Sequence, residues 1–210
     1  MRSVAATSVG DGPLGRELAD EAHAAAELSG SATAIAQARY AAGLALESTA
    51  PDDARALLTE SADAARSVSN RWVEGFARTE VLWLDAQRGE PLGALAGFAS
   101  VVETWYRAGD WANQWLSLRH VCGIFAQVGE HRSAAVLYGA IAAAGAAVAL
   151  PFEPSDAERL GGLVDELRAI LGAAEFATAV REGASRRDVE LVQFVQDEIR
   201  RLAADVGTPT

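Results

Sequence analysis

A chain of 210 residues, half of them apolar, is long enough to bury one sizeable domain or one array of repeats. Its 29 acidic against 18 basic side chains, all of the latter arginine, leave a net charge of −11, a field that repels phosphate and argues against direct nucleic-acid contact. A single cysteine, Cys122, rules out an internal disulfide and suits a reducing cytoplasm.

The chain opens with residues 1–12, which read as a flexible N-terminal leader without the apolar core of a signal peptide. Gly10-Asp11-Gly12-Pro13-Leu14-Gly15 fits the spacing of a dinucleotide-binding turn. Such a turn needs a preceding strand and a βαβ unit, and only nine residues come before it, so it reads as a lead into the first helix. From Pro13 onward, punctuation is regular: Gly30, Ala50-Pro51, Asn70, Gly89-Glu90-Pro91, Gly109-Asp110, Gly129, the Pro151–Pro154 stretch and Gly183-Ala184-Ser185. The segments between them have helical periodicity. Ala54, Leu57, Leu58, Ser61 and Ala65 form one stripe; Trp111, Trp115, Leu118, Cys122 and Phe125 form another, with Asp110 as its N-cap. Ser155 and Glu158 have capping-box spacing at the head of a helix running to Leu171, and a last helix is expected from about Arg187 to Ala204.

The spacing repeats. Asn70-Arg71-Trp72 and Gly109-Asp110-Trp111 occupy matching turns, as do Gly89-Glu90 and Gly129-Glu130, at separations of about 40 residues. Leading helices are expected near Pro13, Pro51, Pro91 and His131, each followed by an antiparallel partner. A hairpin of this kind cannot bury its apolar face alone, so successive hairpins stack. The expected fold is all-α: tetratricopeptide-like (TPR-like) hairpins over 13–150 in a right-handed array, a C-terminal helical cap of the same array over 151–206, and a tail at 207–210. The apolar stretch from Ala134 to Leu150 is shorter than the roughly 20 residues of a membrane span, so a soluble, cytoplasmic protein is expected.

Two strings in the C-terminal third carry a family likeness. Gly129-Glu130-His131-Arg132-Ser133-Ala134-Ala135-Val136-Leu137-Tyr138-Gly139-Ala140 resembles the "G-(D/E)-x-x-x-A-A-x-L-x-G-A" segment late in the helical-repeat region of large ATP-binding LuxR-type bacterial transcriptional regulators. Leu171-Gly172, Phe176, Ala179 and Glu182-Gly183 are similar to their following "L-G-x-x-x-F-x-x-A-x-x-E-G" segment, shared with related ATPase-coupled adenylate cyclases. The likeness covers about residues 50–185 and implies a TPR-like fold and a place in transcription regulation. The family's ATPase and helix-turn-helix residues map onto nothing here, and a chain without lysine cannot carry the P-loop. The resemblance fits an excised C-terminal region or a stand-alone relative.

Candidate chemistry is thin. Cys122 and His120, at i and i+2, point apart on a helix, and Cys122 lies on an apolar stripe where a thiol acts as a small hydrophobe. His23 with Asp20 and Glu27 places three metal-ligating groups along one helix face, without a second His or Cys nearby; no metal or cofactor is expected. Carboxylates such as Asp52-Asp53 stand at helix starts, where the helix dipole accounts for them. The aromatic cluster is the most informative feature. Trp105 and Tyr106 end one helix, Trp111 and Trp115 start the next, and the four should gather at one turn. They are either core filling for an alanine-rich array or, with Arg119, a binding groove rimmed by Arg107, Asn113 and Gln114.

The expected function is non-catalytic: a helical-repeat interaction or sensory module of a bacterial regulator. It would bind a protein partner or small effector and act by favouring one of two states. The alternative is a structural or homodimer-forming module that uses the small residues of Ala134–Ala147 as a close-packing surface. An enzyme with a dispersed site stands last, since no nucleophile, base and orienting group converge.

Overall fold

In the computed structural model the backbone is described for residues 12–147 and 154–206, and side chains for 13–144 and 160–204. These residues form ten α-helices and, among them, no strand: α1 (Gly12–Ser29), α2 (Ala32–Leu46), α3 (Pro51–Ser67), α4 (Arg71–Gln87), α5 (Pro91–Ala108), α6 (Trp111–Gln127), α7 (His131–Ala147), α8 (Pro154–Leu171), α9 (Ala173–Ser185) and α10 (Asp188–Val206). The all-α expectation holds. The first seven helices start at residues 12, 32, 51, 71, 91, 111 and 131, so a start recurs about every 20 residues and a hairpin every 40. The expected leader (apart from residue 12), the junction at 150/151 and the tail lie outside the described residues, as do the side chains of the Ser155–Glu158 pair; the helix itself starts at Pro154, with Ser155 already inside it.

The turns share one chemistry. Gly30, Gly89, Gly109 and Gly129 sit at φ between +62° and +97°, a conformation that ends a helix cheaply where no Cβ is present, and Gly172, at φ +78° and ψ 157°, opens α9. At Gly109 the amide bonds the Tyr106 carbonyl, and the amide of Asp110 reaches back to Trp105 at 3.1 Å; Gly129 and Glu130 repeat the pattern on Ala126 and Phe125. These bonds satisfy the carbonyls a helix leaves over at its end. Asp110 caps α6 as expected, accepting from the Asn113 amide at 3.2 Å.

The chain divides into two compact units, Met1–Leu84 and Asp85–Thr210, with the division falling inside α4. In unit 1, the expected stripe on α3 is the core: Ala54, Leu58, Ser61 and Ala65 are fully buried, and Leu57 is half-buried. Leu58 presses onto α2 at Gly43, where an added Cβ would lie 2.6 Å from the Leu58 side chain. The Ser61 hydroxyl donates to the Ala36 carbonyl at 2.7 Å, so this buried polar group is paired. Burial of a leucine of this kind contributes about 2 kcal/mol.

Unit 2 is built around α6 and α7. Trp115, Leu118, Cys122 and Phe125 of the expected α6 stripe are buried, and Trp111 is half-buried. Two glycines then set the approach of α7 and α9. A Cβ at Gly139 would fall 2.1 Å from the Val180 carbonyl oxygen, and one at Gly183 would fall 1.8 Å from that of Val136. The two backbones are therefore in contact. Gly183, expected as part of a break, is buried inside α9, which continues to Ser185; the residue is there for close approach, and a packing glycine leaves the same trace in sequence as a helix stop. The last helix, α10, packs on α5 and α7, with the Gln196 amide donating to the Ala99 carbonyl at 2.7 Å. Among the described residues no helix is long and apolar enough to cross a membrane.

Candidate functional site

The turn between α5 and α6 gathers its aromatics. The Tyr106 and Trp111 rings meet edge to face at 6.1 Å, and Trp111 lies 5.6 Å from Trp115. Burial then divides the group. Trp105 is 4% exposed and Trp115 7%, so their rings fill the interior, while Tyr106 and Trp111 are half-buried. Arg119 is also half-buried. Asn113 and Gln114, expected at a polar rim, are instead interior residues, Gln114 fully so; Asn113 also donates from its side chain to the Asp110 carboxylate at 2.6 Å. Helical geometry explains the difference. Positions 113 and 117 share one side of α6, and Trp111 and Trp115 share the other. Because α6 is buried on both sides, the sequence signal for a polar rim was a signal for buried polar groups.

These buried polar residues are the part of unit 2 that pattern reading missed. The Gln114 amide, through both its oxygen and its nitrogen, and the Ser117 hydroxyl have no hydrogen-bond partner among the described residues. An orphaned interior group of this kind costs about 1–3 kcal/mol. His120 lies near Phe98, with ring centres 6.1 Å apart, and Cys122 faces the opposite way, its thiol donating to the Ala134 carbonyl at 3.3 Å. Burial pushes the Cys122 thiol up to about 12, against a backbone hydrogen bond from Tyr138 that pulls it down. It is a core thiol.

The two strings that carry the family likeness come together in space. Tyr138 stacks on Phe176 at 6.2 Å, Ala179 is fully buried, and Gly139 and Gly183 permit the contact of α7 and α9. Arg132 donates to Glu175 at 3.0 Å and to Glu182 at 2.8 Å, and Glu182 also accepts from Arg186. Glu130 pairs with Arg201 of α10, and the Ser133 hydroxyl donates to Glu198. Each of these residues therefore has a packing or pairing task. The same contact turns the Gly139 side of α7 inward, away from the dimer surface expected of this helix, and leaves Ala142 and Ala143 exposed.

An apolar groove opens in unit 1. Between α1 and α2 runs a groove of roughly 600 Å³, lined by Leu18, Ala22, Ala25 and Ala26 on one wall and Ala34, Ala38 and Ala41 on the other, with Glu21, Ser29 and Gln37 as its polar members. It spans Leu18 to Ser29, about three helical turns or ~16 Å. On the other side of the same hairpin a smaller cavity of about 190 Å³ has Arg16, Asp20 and His23 at its edge over Ala19, Ala45 and Leu57. His23 lies 3.8 Å from Glu27, and Arg16 donates to Thr49 at 3.0 Å. The His23, Asp20 and Glu27 trio does not assemble a ligand set: no group of three metal-ligating side chains converges among the described residues. An all-alanine wall gives no strong periodic signal, so the groove was invisible to pattern reading.

Compared with protein-family models, curated proteins and solved structures, the chain matches none.

Proposed function

We propose that this chain is a non-catalytic interaction module in which TPR-like hairpins, stacked in a right-handed array, present the α1–α2 groove to a protein partner. The observation that carries the proposal is the groove itself: an apolar channel three turns long, walled by small side chains, on a helix whose Leu28 is 90% exposed. An apolar face of this kind on a folded protein marks a contact site. Small residues let a second helix come close, and a channel of this length accepts a helix better than a flat-sided small molecule. The 40-residue recurrence of hairpins supports the repeat reading. The α7–α9 contact, formed by both strings that resemble LuxR-type regulators, supports kinship with their repeat regions and a cytoplasmic setting in transcription regulation. In that reading the partner would bias the module between two states by binding one of them better.

The test places a photo-crosslinking phenylalanine analogue at position 28 in cells that express the protein. A discrete adduct is expected there, suppressed when Ala25→Phe fills the groove. Labelling at position 28 no stronger than at exposed Glu60, or unaffected by Ala25→Phe, would remove the groove from the account. Trp111, carrying the same analogue, tests the aromatic turn: an adduct at 111 and none at 28 would move the site to Tyr106 and Trp111.

A further inference from the structure

α1 has two apolar faces. One, with Ala19 and Ala26, is buried; the other, with Leu14, Leu18, Ala25 and Leu28, is turned outward, Leu18 and Ala25 lining the groove and Leu14 and Leu28 continuing the same face 41% and 90% exposed. Glu21 stands within this second face, between Leu18 and Ala25 on the groove wall, and Glu17 stands one helical turn before it at the face's margin; both are exposed and neither is in an ion pair among the described residues. Resting on the groove reading above, we infer that the groove takes an amphipathic helix from another protein, whose basic side chains, spaced one turn apart, meet Glu17 and Glu21.

Three observations select that occupant. The chain itself shows how such a face is covered: α10 lays Leu191, Val195 and Ile199 into the interior of unit 2 and brings Arg201 to Glu130. An apolar stripe and an arginine arrive together on one helix, against an apolar face and a glutamate. The α1 face supplies the same receiving half, apolar floor and glutamates, with nothing described opposite it. A second copy of this chain is a poor occupant, because a symmetric pairing of α1 faces brings Glu17 and Glu21 toward their own copies in a protein already at −11. A cationic helix is instead drawn in by the field and seated by the groove, so charge sets the partner and apolar contact holds it.

The experiment uses the full chain and two fluorescent helical peptides of 18 residues, the length of α1, with the same Leu/Ala face. One carries lysines at i and i+4 beside that face; the other carries glutamates. Anisotropy at low salt should show the cationic peptide binding about tenfold tighter, the combined effect of two surface ion pairs, with the gap closing as salt rises. Glu17→Lys with Glu21→Lys should invert the preference, and Ala25→Phe should abolish binding of both peptides; circular dichroism verifies that the variants remain folded. Equal binding of the two peptides would overturn the cationic partner while leaving the groove as a helix site. No binding of either at about millimolar concentration would remove both. A dimer in light scattering that Leu28→Glu converts to a monomer would assign the groove to a second copy and overturn the inference.

Discussion

In unit 2 the chain covers its own helix faces. α9 lies backbone to backbone on α7, and α10 crosses α5 and α7 with its apolar stripe inward and Arg201 on both Glu130 and Glu198. In unit 1 the corresponding resource is missing: α1 buries one face on α2 and leaves the other, rich in alanine and leucine, at the surface. The chemical difference is small. Where unit 2 closes a contact it uses glycine, and the helices touch; where unit 1 keeps a channel it uses alanine, and the helices stand far enough apart to leave roughly 600 Å³ between their outer edges. A face finished with glycine is committed to one neighbour, whereas a face finished with alanine and leucine can still accept one. The proposed interaction site in unit 1 rests on that contrast.

The largest expected effect breaks the closed face. Gly183→Ala puts a methyl 1.8 Å from the Val136 carbonyl oxygen, and the obstacle is backbone, which cannot rotate away. A loss of about 3 kcal/mol or more is expected in chemical denaturation, with amide exchange accelerated in α7 and α9. Ala25→Leu makes a larger change in the open face of unit 1 and should alter stability by less than about 0.5 kcal/mol, because its side chain is exposed. Equal costs for the two variants would erase the distinction between a committed face and an available one.

A smaller effect sharpens the contrast between the two interiors. Ser61 in unit 1 is buried and bonded, whereas Gln114 in unit 2 is buried with both amide atoms unpartnered among the described residues. Gln114→Met keeps the volume and removes the orphaned amide, so a gain of about 1 kcal/mol is expected. A loss of similar size would show that the amide is bonded in solution and belongs to a site. Smaller still, Ser69 ends α3 at φ +57°, where the turns of unit 2 use glycine. Ser69→Gly should stabilise unit 1 by about 0.5 kcal/mol, measured as a rise in Tm.

Much of the fold was legible because its signals are local. A glycine at a left-handed turn, a proline at a helix start and Asp110 before Trp111 each act within one turn of chain, and they mark helix starts close to where they lie. Gly183 was misread because close approach to Val136 is a long-range fact with the same residue type as a helix stop. The aromatic turn was legible as a cluster but not as to side: the spacing that brings Tyr106 to Trp111 is the same whether the rings face solvent or core, and only tertiary burial separates Trp105 and Trp115 from their neighbours. The groove left no trace, since Ala22, Ala25, Ala38 and Ala41 are helix-favouring residues compatible with either face.

Acid gives the finest test of the comparison, because Glu182 and Glu190 of unit 2 are held below the usual carboxylate range. For Glu182 the largest single influence is burial, which resists ionisation, but the hydrogen bonds and charges of Arg186 and Arg132 together outweigh it; for Glu190 the cause is the hydrogen bonding of Arg187. A carboxyl whose folded value is depressed adds stability that is fully present above its unfolded value, about 4.3, and is lost as the pH falls through the lower folded one. Unit 2 should therefore loosen between about pH 4 and the folded values below it, and amide exchange should rise in α9 before it rises in α2 and α3. The effect is modest because these pairs are at or near the surface and screened, and 0.5 M salt, at which the Debye length is only ~4 Å, should shrink it further. Glu182→Gln removes the titrating group and should flatten the acid limb for α9 while leaving α2 unchanged. If α2 and α3 loosened first, the ion pairs on α9 would not be what distinguishes the closed unit from the open one, and glycine contact alone would carry the difference.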